Sequence, residues 1–583
     1  MRESPNICKS TNFIAAQVVT ALKIGVEPTD EISLDDQMKQ MWTLDAIGIK
    51  DNELTKEEAE SIQEFDKGIS FENNRYVTRL PWRRNHAPLP TNLFLAKNRL
   101  ISNLKSLRKT PELLQQYDSL IKQQLERDFI EKVDYNDSTN DNIIHYLPHH
   151  GVKKASATTP LRLVYACNAK LGPKKPSLND CLLTGPSLMY ELPEILLRFR
   201  LRKYACVSDI AKAYHMIGLN EKDRDATRFL WPKDPQDINS VLDIYRFKVV
   251  LFGATCSQFL LNATINYHLS LNPSSTSTKI RRNIYVDNLQ SVADKESELI
   301  DFYQKSKALM NSAGLNLREW TSNSSQLNKI INETGDGVSK TLPNLSLSDI
   351  DNSNSTVLGM KWNTSKDILS CVGREFESNN GFTKRHVLSY VAKTFDPLGL
   401  ITPITITSRI LMQKLWKLKL GWDEIIPDDL KTEWLKILPE LQRASKLEFP
   451  RNIMVSSDTI LHAFCDASNA AYGAVIYATN NLTSNLLISK GRVTPLKSKS
   501  IPRLELIAAN LAARLIDYVT KAYKDEFTPT SIHLWTDSQV VLRWLASTKP
   551  LDVFVRNRVD EIHHLLPKVK YHYICSKDNP SDL

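Results

Sequence analysis

The chain has 583 residues, 42 % hydrophobic and 24 % charged, an ordinary globular mixture that excludes wholesale disorder, a collagen-like repeat and a coiled-coil rod; at roughly 100–200 residues per domain it predicts about three to five domains. The net charge of +9, from 75 Lys and Arg against 66 Asp and Glu, permits a polyanionic partner without demanding one. The cysteines at 8, 167, 181, 206, 256, 371, 465 and 575 form no CxxC pair, which excludes a zinc ribbon and a disulfide framework, while the lack of an apolar run of about 18 residues and of a secretory leader predicts an intracellular chain with no membrane span.

No repeat of solenoid or propeller length is present. Residues 1–70 predict a soluble helical lead-in, with QMWTLDAIGIKDNE followed by TKEEAESIQEFDKGISF. Thr110 and Pro111 signal a helix start, and apolar spacing carries that helix through residue 130. Polar runs at 134–142 and 272–279 predict exposed loops, and the Ser- and Asn-rich stretch 321–356 predicts an internal boundary. Between them, 161–167, 204–209, 243–250 and 281–288 pattern as strands, and 187–202 and 257–271 as helices. From residue 460 onward the order is three strands, one long amphipathic helix with Leu504, Ile507, Ala508, Leu511, Leu515 and Val519 on one stripe, a strand, two helices and a strand. That is an α/β layer with one covered face.

Four acids mark that last region: Asp466 in its first strand, Glu505 in the first turn of the long helix, Asp537 ending the fourth strand and Asp582 near the last residue. Each alone also fits a turn or a helix N-terminus. Clustered, they would repel and need divalent cations, and two Mg²⁺ about 3.5–4 Å apart promote in-line attack of water on a phosphodiester. The element order is that of a ribonuclease H fold, and HAFCDASNAAYGAVIY, IPRLELIAANLAARL, LWTDSQVVLRWL and NPSDL resemble the four acidic motifs of the RNase H domain of BEL/Pao LTR retrotransposons. The resemblance implies that Asp466, Glu505, Asp537 and Asp582 hold a metal pair, in a domain over residues 451–583 cut short at its C-terminus.

Upstream, VSDIAKAYHMIGL and IYVDNLQSVAD resemble reverse transcriptase motifs, as do TRLPWRRNHAPLPTN, YLPHHGVKK, TPLRLVYACNAK, SLNDCLLTGPSL and FKVVLFGATCSQFLLN in Pao-type fingers and palm. By that resemblance Asp209, Asp287 and Asn288 are metal ligands of a polymerase centre over residues 71–320. The resemblance further implies that Lys154 and Arg162 contact the triphosphate, that Tyr214 excludes a ribose 2′-hydroxyl, and that Phe252 and Gly253 pack on the nucleotide. Two positions depart from the family. Asn288 stands where the second acid belongs, removing a charge worth roughly 4 kcal/mol at about 4 Å, and Ser257-Gln258 replaces Ser-Pro. Residues 321–450, with VLGMKWNTSKD and TKRHVLSYVAKTFDPLGLITPITITSRILMQKLW, resemble the primer grip, thumb and connection. Within them Lys384, Arg385, Lys393, Lys414, Lys417 and Lys419 are candidate contacts to nucleic-acid backbone, each phosphate contact steepening the salt dependence by roughly 0.9.

The fold implied is multidomain α/β and α+β: a right-hand polymerase of fingers, palm and thumb, then a connection and an RNase H-like α/β domain. The function implied is RNA-directed DNA polymerisation with ribonuclease H activity, using Mg²⁺, two per centre, or Mn²⁺. The partners implied are an RNA template, a DNA primer, an RNA:DNA hybrid and dNTPs, with protease and integrase segments in a parent Pol polyprotein, a cytoplasmic particle and nuclear access. The alternative, which Asn288 motivates, is a decayed or co-opted copy that binds nucleic acid without polymerising.

Overall fold

The computed structural model describes residues 54–133, 143–153, 161–237, 239–337, 354–372, 382–497 and 499–582. The expected loop at 134–142, Lys154 and most of the lead-in lie outside them; of the lead-in, helix α1 (Lys56–Gly68) is described, opened by a capping box between Thr55 and Glu58. Helix α2 (Pro111–Glu126) stops four residues short of its expected end, because Asp128 turns to φ 57° and Ile130 enters a strand. Strands β1 (Ile130–Val133), β2 (His149–Lys153) and β3 (Leu161–Tyr165) follow, the last two forming an antiparallel hairpin. After helix α3 (Leu192–Phe199) come β4 (Tyr204–Ile210), β5 (Phe229–Pro232) and β6 (Leu242–Phe247), and β6 pairs with both β1 and β5.

Helix α4 (Ser257–Leu271) is buried along most of its length. The stretch 272–279 is not a loop: it runs into helix α5 (Ser275–Asn283), since Ser274 and Ser277 cap each other's backbone N–H at 3.0 and 2.7 Å. The strand expected from 281 therefore starts at β7 (Ile284–Tyr285) and turns back as β8 (Asn288–Ala293). Helix α6 (Glu296–Asn311) leads to β9 (Leu317–Ser322), completing an antiparallel sheet in the order β7-β8-β4-β9. The expected boundary at 321–356 contains a further helix, α7 (Ser325–Thr334), capped by the Ser324 hydroxyl and ended at Gly335, φ 72°.

Strands β10 (Asn354–Val357), β11 (Met360–Asn363), β12 (Ile368–Ser370) and β13 (Phe449–Pro450) make another antiparallel sheet in that order. Between its last two strands, helices α8 (Lys384–Lys393), α9 (Thr402–Lys417) and α10 (Asp428–Ala444) pack their own core around Val387, Leu411, Leu415, Trp434 and Leu441. Arg451 joins this region to the preceding one. It is fully buried, pairs with Asp367 through Nε at 2.6 Å and Nη2 at 2.7 Å, and donates to the Phe199 and Lys203 carbonyls at 2.8 and 2.6 Å. Removing one partner of a buried pair costs about 3–5 kcal/mol. Arg451→Met is expected to lower unfolding free energy in urea by about 3 kcal/mol; a midpoint unchanged from wild type would refute that role.

The last sheet has five strands in the order β16-β15-β14-β17-β18, where β14 is Ile460–Ala467, β15 Ala471–Thr479, β16 Ser484–Val493, β17 Ser531–Thr536 and β18 Lys570–Tyr573. Helices α11 (Ile501–Tyr523), α12 (Gln539–Leu545) and α13 (Val553–Leu565) complete it in the expected chain order. Alternation along β14 buries Leu461, Ala463, Cys465 and Ala467 on the side of α11. The apolar stripe of α11 is wider than expected: Leu506, Ala509, Ala512, Ala513 and Ile516 are buried too, because α11 packs on β14 and β15, on α13 and on α3. Leu196, Leu197 and Phe199 of α3 thus belong to the same hydrophobic cluster as α11. Arg282 extends the contact, reaching Asp525 at 3.1 Å and Glu526 at 3.7 Å just beyond the C-terminus of α11. Among the described residues no helix is long and apolar enough to cross a membrane.

Candidate active sites

Asp466 comes from β14 and Asp537 follows directly on β17, the parallel neighbour of β14, so sheet pairing sets the two acids side by side at one sheet end. Glu505 reaches them from α11, at its fifth position rather than in its first turn, and is 7 % exposed. One carboxylate oxygen from each of the three lies within 4.8 Å of the others. Burial, then the charge of Asp466 and Asp537, pushes Glu505 up to about 8; burial, then Asp537 and Asp582, pushes Asp466 up to about 6. Glu505 Oε2 and Asp537 Oδ1 are buried with no hydrogen-bond partner. Hard oxygen donors crowded without a countercharge are what a divalent cation of the Mg²⁺ class takes up, so these residues fit one.

Asp582 is exposed on the closing segment, near enough to raise both Asp466 and Glu505 but outside the close trio. That segment is fastened to the sheet. Ile574 N–H donates to the Thr536 carbonyl at 3.1 Å, Asn579 Nδ2 to the Cys465 carbonyl at 3.1 Å, and the Ser576 hydroxyl to Asp537 Oδ2 at 2.5 Å. Ser576 and Asn579 were not among the residues singled out in the sequence, although Asn579 opens the NPSDL motif.

The second centre sits at the turn between β7 and β8. Asp209, near the end of β4, is the register partner of Asn288 in β8, and Ile210 N–H donates to the Asp287 carbonyl at 2.8 Å. Val286, a β-branched residue, is held at φ 57° to make this turn, a strain of about 1–3 kcal/mol. Burial, then the Asp287 and Glu319 charges, pushes Asp209 up to about 6 against the lowering effect of Arg318, whose guanidinium lies 3.6 Å away. Burial raises Asp287, and Asn288 Nδ2 donates to its Oδ1 at 2.9 Å. The Asn288 amide therefore turns its nitrogen to the neighbouring acid. Arg318 is a further member that composition alone did not mark.

Tyr214 lies close by: burial and the Asp287 charge push its hydroxyl up to about 12, and its ring meets Phe252 edge-on at 4.5 Å. Phe252 is 51 % exposed. Gly253 holds φ 107°, and its carbonyl accepts from Asn179 Nδ2 at 3.0 Å. A Cβ there would stand 2.7 Å from the Tyr165 carbonyl oxygen, a backbone atom. Gly253→Ala is expected to cost about 1–3 kcal/mol of stability and to unseat Phe252; unchanged urea unfolding would contradict this. Arg162 is exposed on the hairpin, opposite Val152.

Three of the six expected backbone contacts are otherwise engaged. Lys384 is 3 % exposed, its Nζ 4.3 Å from the Trp416 ring and 4.4 Å from that of Trp422. Arg385 pairs with Asp423 at 2.7 Å and Lys414 with Glu433 at 2.8 Å. Lys417 and Lys419 are exposed, and Lys393 partly so.

Residues 147–320 match the family model of reverse transcriptase (RNA-dependent DNA polymerase), and residues 383–538 that of the Pao retrotransposon-like RNaseH-like domain. No curated protein matches the chain. Similar solved structures include the foamy viral protease-reverse transcriptase with an RNA/DNA hybrid, 12 % identical over 98 % of this chain and 64 % of that one, TM-score 0.49. The same protein's structure with dsDNA is 13 % identical over 98 % and 99 %, TM-score 0.47. The chain spans 64 % of the length of the first.

Proposed function

We propose that this chain, a reverse transcriptase domain followed by a Pao-type RNase H-like domain, copies an RNA template into DNA from a primer at Asp209 and Asp287 and cuts the RNA of the hybrid at Asp466, Glu505, Asp537 and Asp582. The observation that carries it is the convergence of Asp466, Glu505 and Asp537 within 4.8 Å from three separate elements. Mg²⁺ or Mn²⁺, two per centre, would there activate a water or a primer hydroxyl and neutralise charge on the reacting phosphate. In the first centre Asp209, Asp287 and the Asn288 side-chain oxygen would hold the metals, Tyr214 excludes the 2′-hydroxyl of a ribonucleotide, and Phe252 with Gly253 packs on the incoming dNTP. Arg162, with Lys154, takes the triphosphate. In the second, the carboxylates orient water in line with the scissile bond. The blocks 71–320, 321–450 and 451–583 are the working units, expected beside protease and integrase segments of a Pol polyprotein in a cytoplasmic particle.

A second reading, a copy that binds template-primer without extending it, is favoured by the Asn288 amide donating to Asp287. Separate assays test both. Asp209→Asn is expected to abolish primer extension and spare hybrid cleavage, and Asp537→Asn to do the reverse. Hybrid cleavage that survives Asp537→Asn would sink the first reading, and wild-type extension of a primed RNA would sink the second.

A further inference from the structure

A carboxylate that serves a cation needs one oxygen presented and its rotation stopped, and metal centres usually achieve this with hydrogen bonds to the other oxygen. Asp537 sits where β17 gives way to α12. Its Oδ2 accepts the Ser576 hydroxyl at 2.5 Å, while Oδ1 is buried and has no hydrogen-bond partner. Ser576 opens a single 3₁₀ turn, Ser576–Asp578, that is pinned ahead by Ile574 donating to the Thr536 carbonyl and behind by Asn579. Asn579 is 4 % exposed and both ends of its amide are engaged: Nδ2 donates to the Cys465 carbonyl, one residue before Asp466, and Oδ1 accepts from the Ser581 N–H at 3.2 Å and hydroxyl at 2.7 Å. The Asn579 carbonyl in turn accepts the Asp582 N–H at 3.0 Å.

We propose that Ser576 and Asn579 are positioning residues of the carboxylate centre, Ser576 fixing the Asp537 carboxylate so that Oδ1 stays free for a cation and Asn579 hanging the Asp582 segment from the residue beside Asp466. The proposal rests on the reading of this centre as a divalent-cation site. Neither residue touches the reacting atoms. Both act by holding a neighbouring acid in place.

Calorimetric titration of the intact chain with Mn²⁺ alone tests this, the contribution of the centre being the binding that Asp466→Asn removes. Ser576→Ala is expected to weaken that binding by about tenfold, the low end of the effect of losing such an outer partner, with its melting in EDTA unchanged. Ser576→Thr, which keeps the hydroxyl, is expected to restore it, and Asn579→Ala to weaken it as well. Wild-type Mn²⁺ affinity in Ser576→Ala, or no restoration by Thr, would overturn the positioning role while leaving the cation site standing. Mn²⁺ binding unaffected by Asp466→Asn would instead remove the cation site, and the positioning role with it.

Discussion

Replacing Asp466 by Asn is expected to abolish cleavage of an RNA:DNA hybrid and, at the same time, to raise the melting temperature of the metal-free chain. A unit charge about 4 Å from a cation is worth roughly 4 kcal/mol at an effective dielectric near 20, which at about 1.4 kcal/mol per decade corresponds to about a thousandfold loss of rate. Without a cation that same charge is a liability. Glu505 is held up at about 8 and Asp466 at about 6, against about 4 for carboxyls in an unfolded chain. Between about pH 4 and 8 the folded chain therefore retains protons that the unfolded chain has released, and metal-free stability falls as the pH rises through that window. Removing the Asp466 charge relieves Glu505; in a chain of 583 residues that unfolds as one unit, a relief of about 1 kcal/mol corresponds to about 1 °C. Thermal melts in EDTA at neutral pH check this, together with cleavage in Mg²⁺. An Asp466→Asn variant that melts below wild type in EDTA would show that the acids are not in mutual repulsion.

Asn288→Asp should produce the second large effect, with the opposite sign for metal demand. The wild-type centre carries Asp209 on β4 and Asp287 in the turn, and the side-chain hydrogen bond that quiets Asp287, beside one from its own backbone N–H, comes from Asn288. An acid at 288 removes that donor and adds a charge beside Asp209, its register partner. Less Mg²⁺ should then suffice for primer extension, by about 10- to 1000-fold for a gain of roughly 1.4–4 kcal/mol, while the metal-free protein becomes less stable at neutral pH. Titrating Mg²⁺ in an extension assay of both proteins decides it. Equal Mg²⁺ requirements would mean that Asn288 is no handicap and that polymerisation relies on Asp209 and Asp287 alone.

The C-terminal half was legible in the sequence because its signals are strong and local: alternation writes β14, a long run of helix formers writes α11, and each acid stands at the end or on the flank of such an element. In the N-terminal half the polar residues misled. Ser274 to Ser277 has the composition of a loop yet caps a helix, and the Ser- and Asn-rich stretch after β9 hides α7; composition does not separate a capping serine from a loop serine, whereas the position of the next apolar residue does. Lys384 was misplaced for a related reason, since nothing local says that Trp416 and Trp422 fold over it. The acids themselves were readable, but their partners were not. Arg318, Ser576 and the direction of the Asn288 amide depend on strand pairing and closure across the sheet.

The core shared by α3 and α11 bears on how this chain can be divided. Leu196, Leu197 and Phe199 lie in the N-terminal half in sequence but belong to the core of α11, the helix that carries Glu505, on which α3 packs. A C-terminal piece prepared from residue 451 onward would lose that cover, leave an apolar face of α11 open to water, and tend to aggregate. Proteases that nick the chain between the two halves should likewise release nothing until both unfold together.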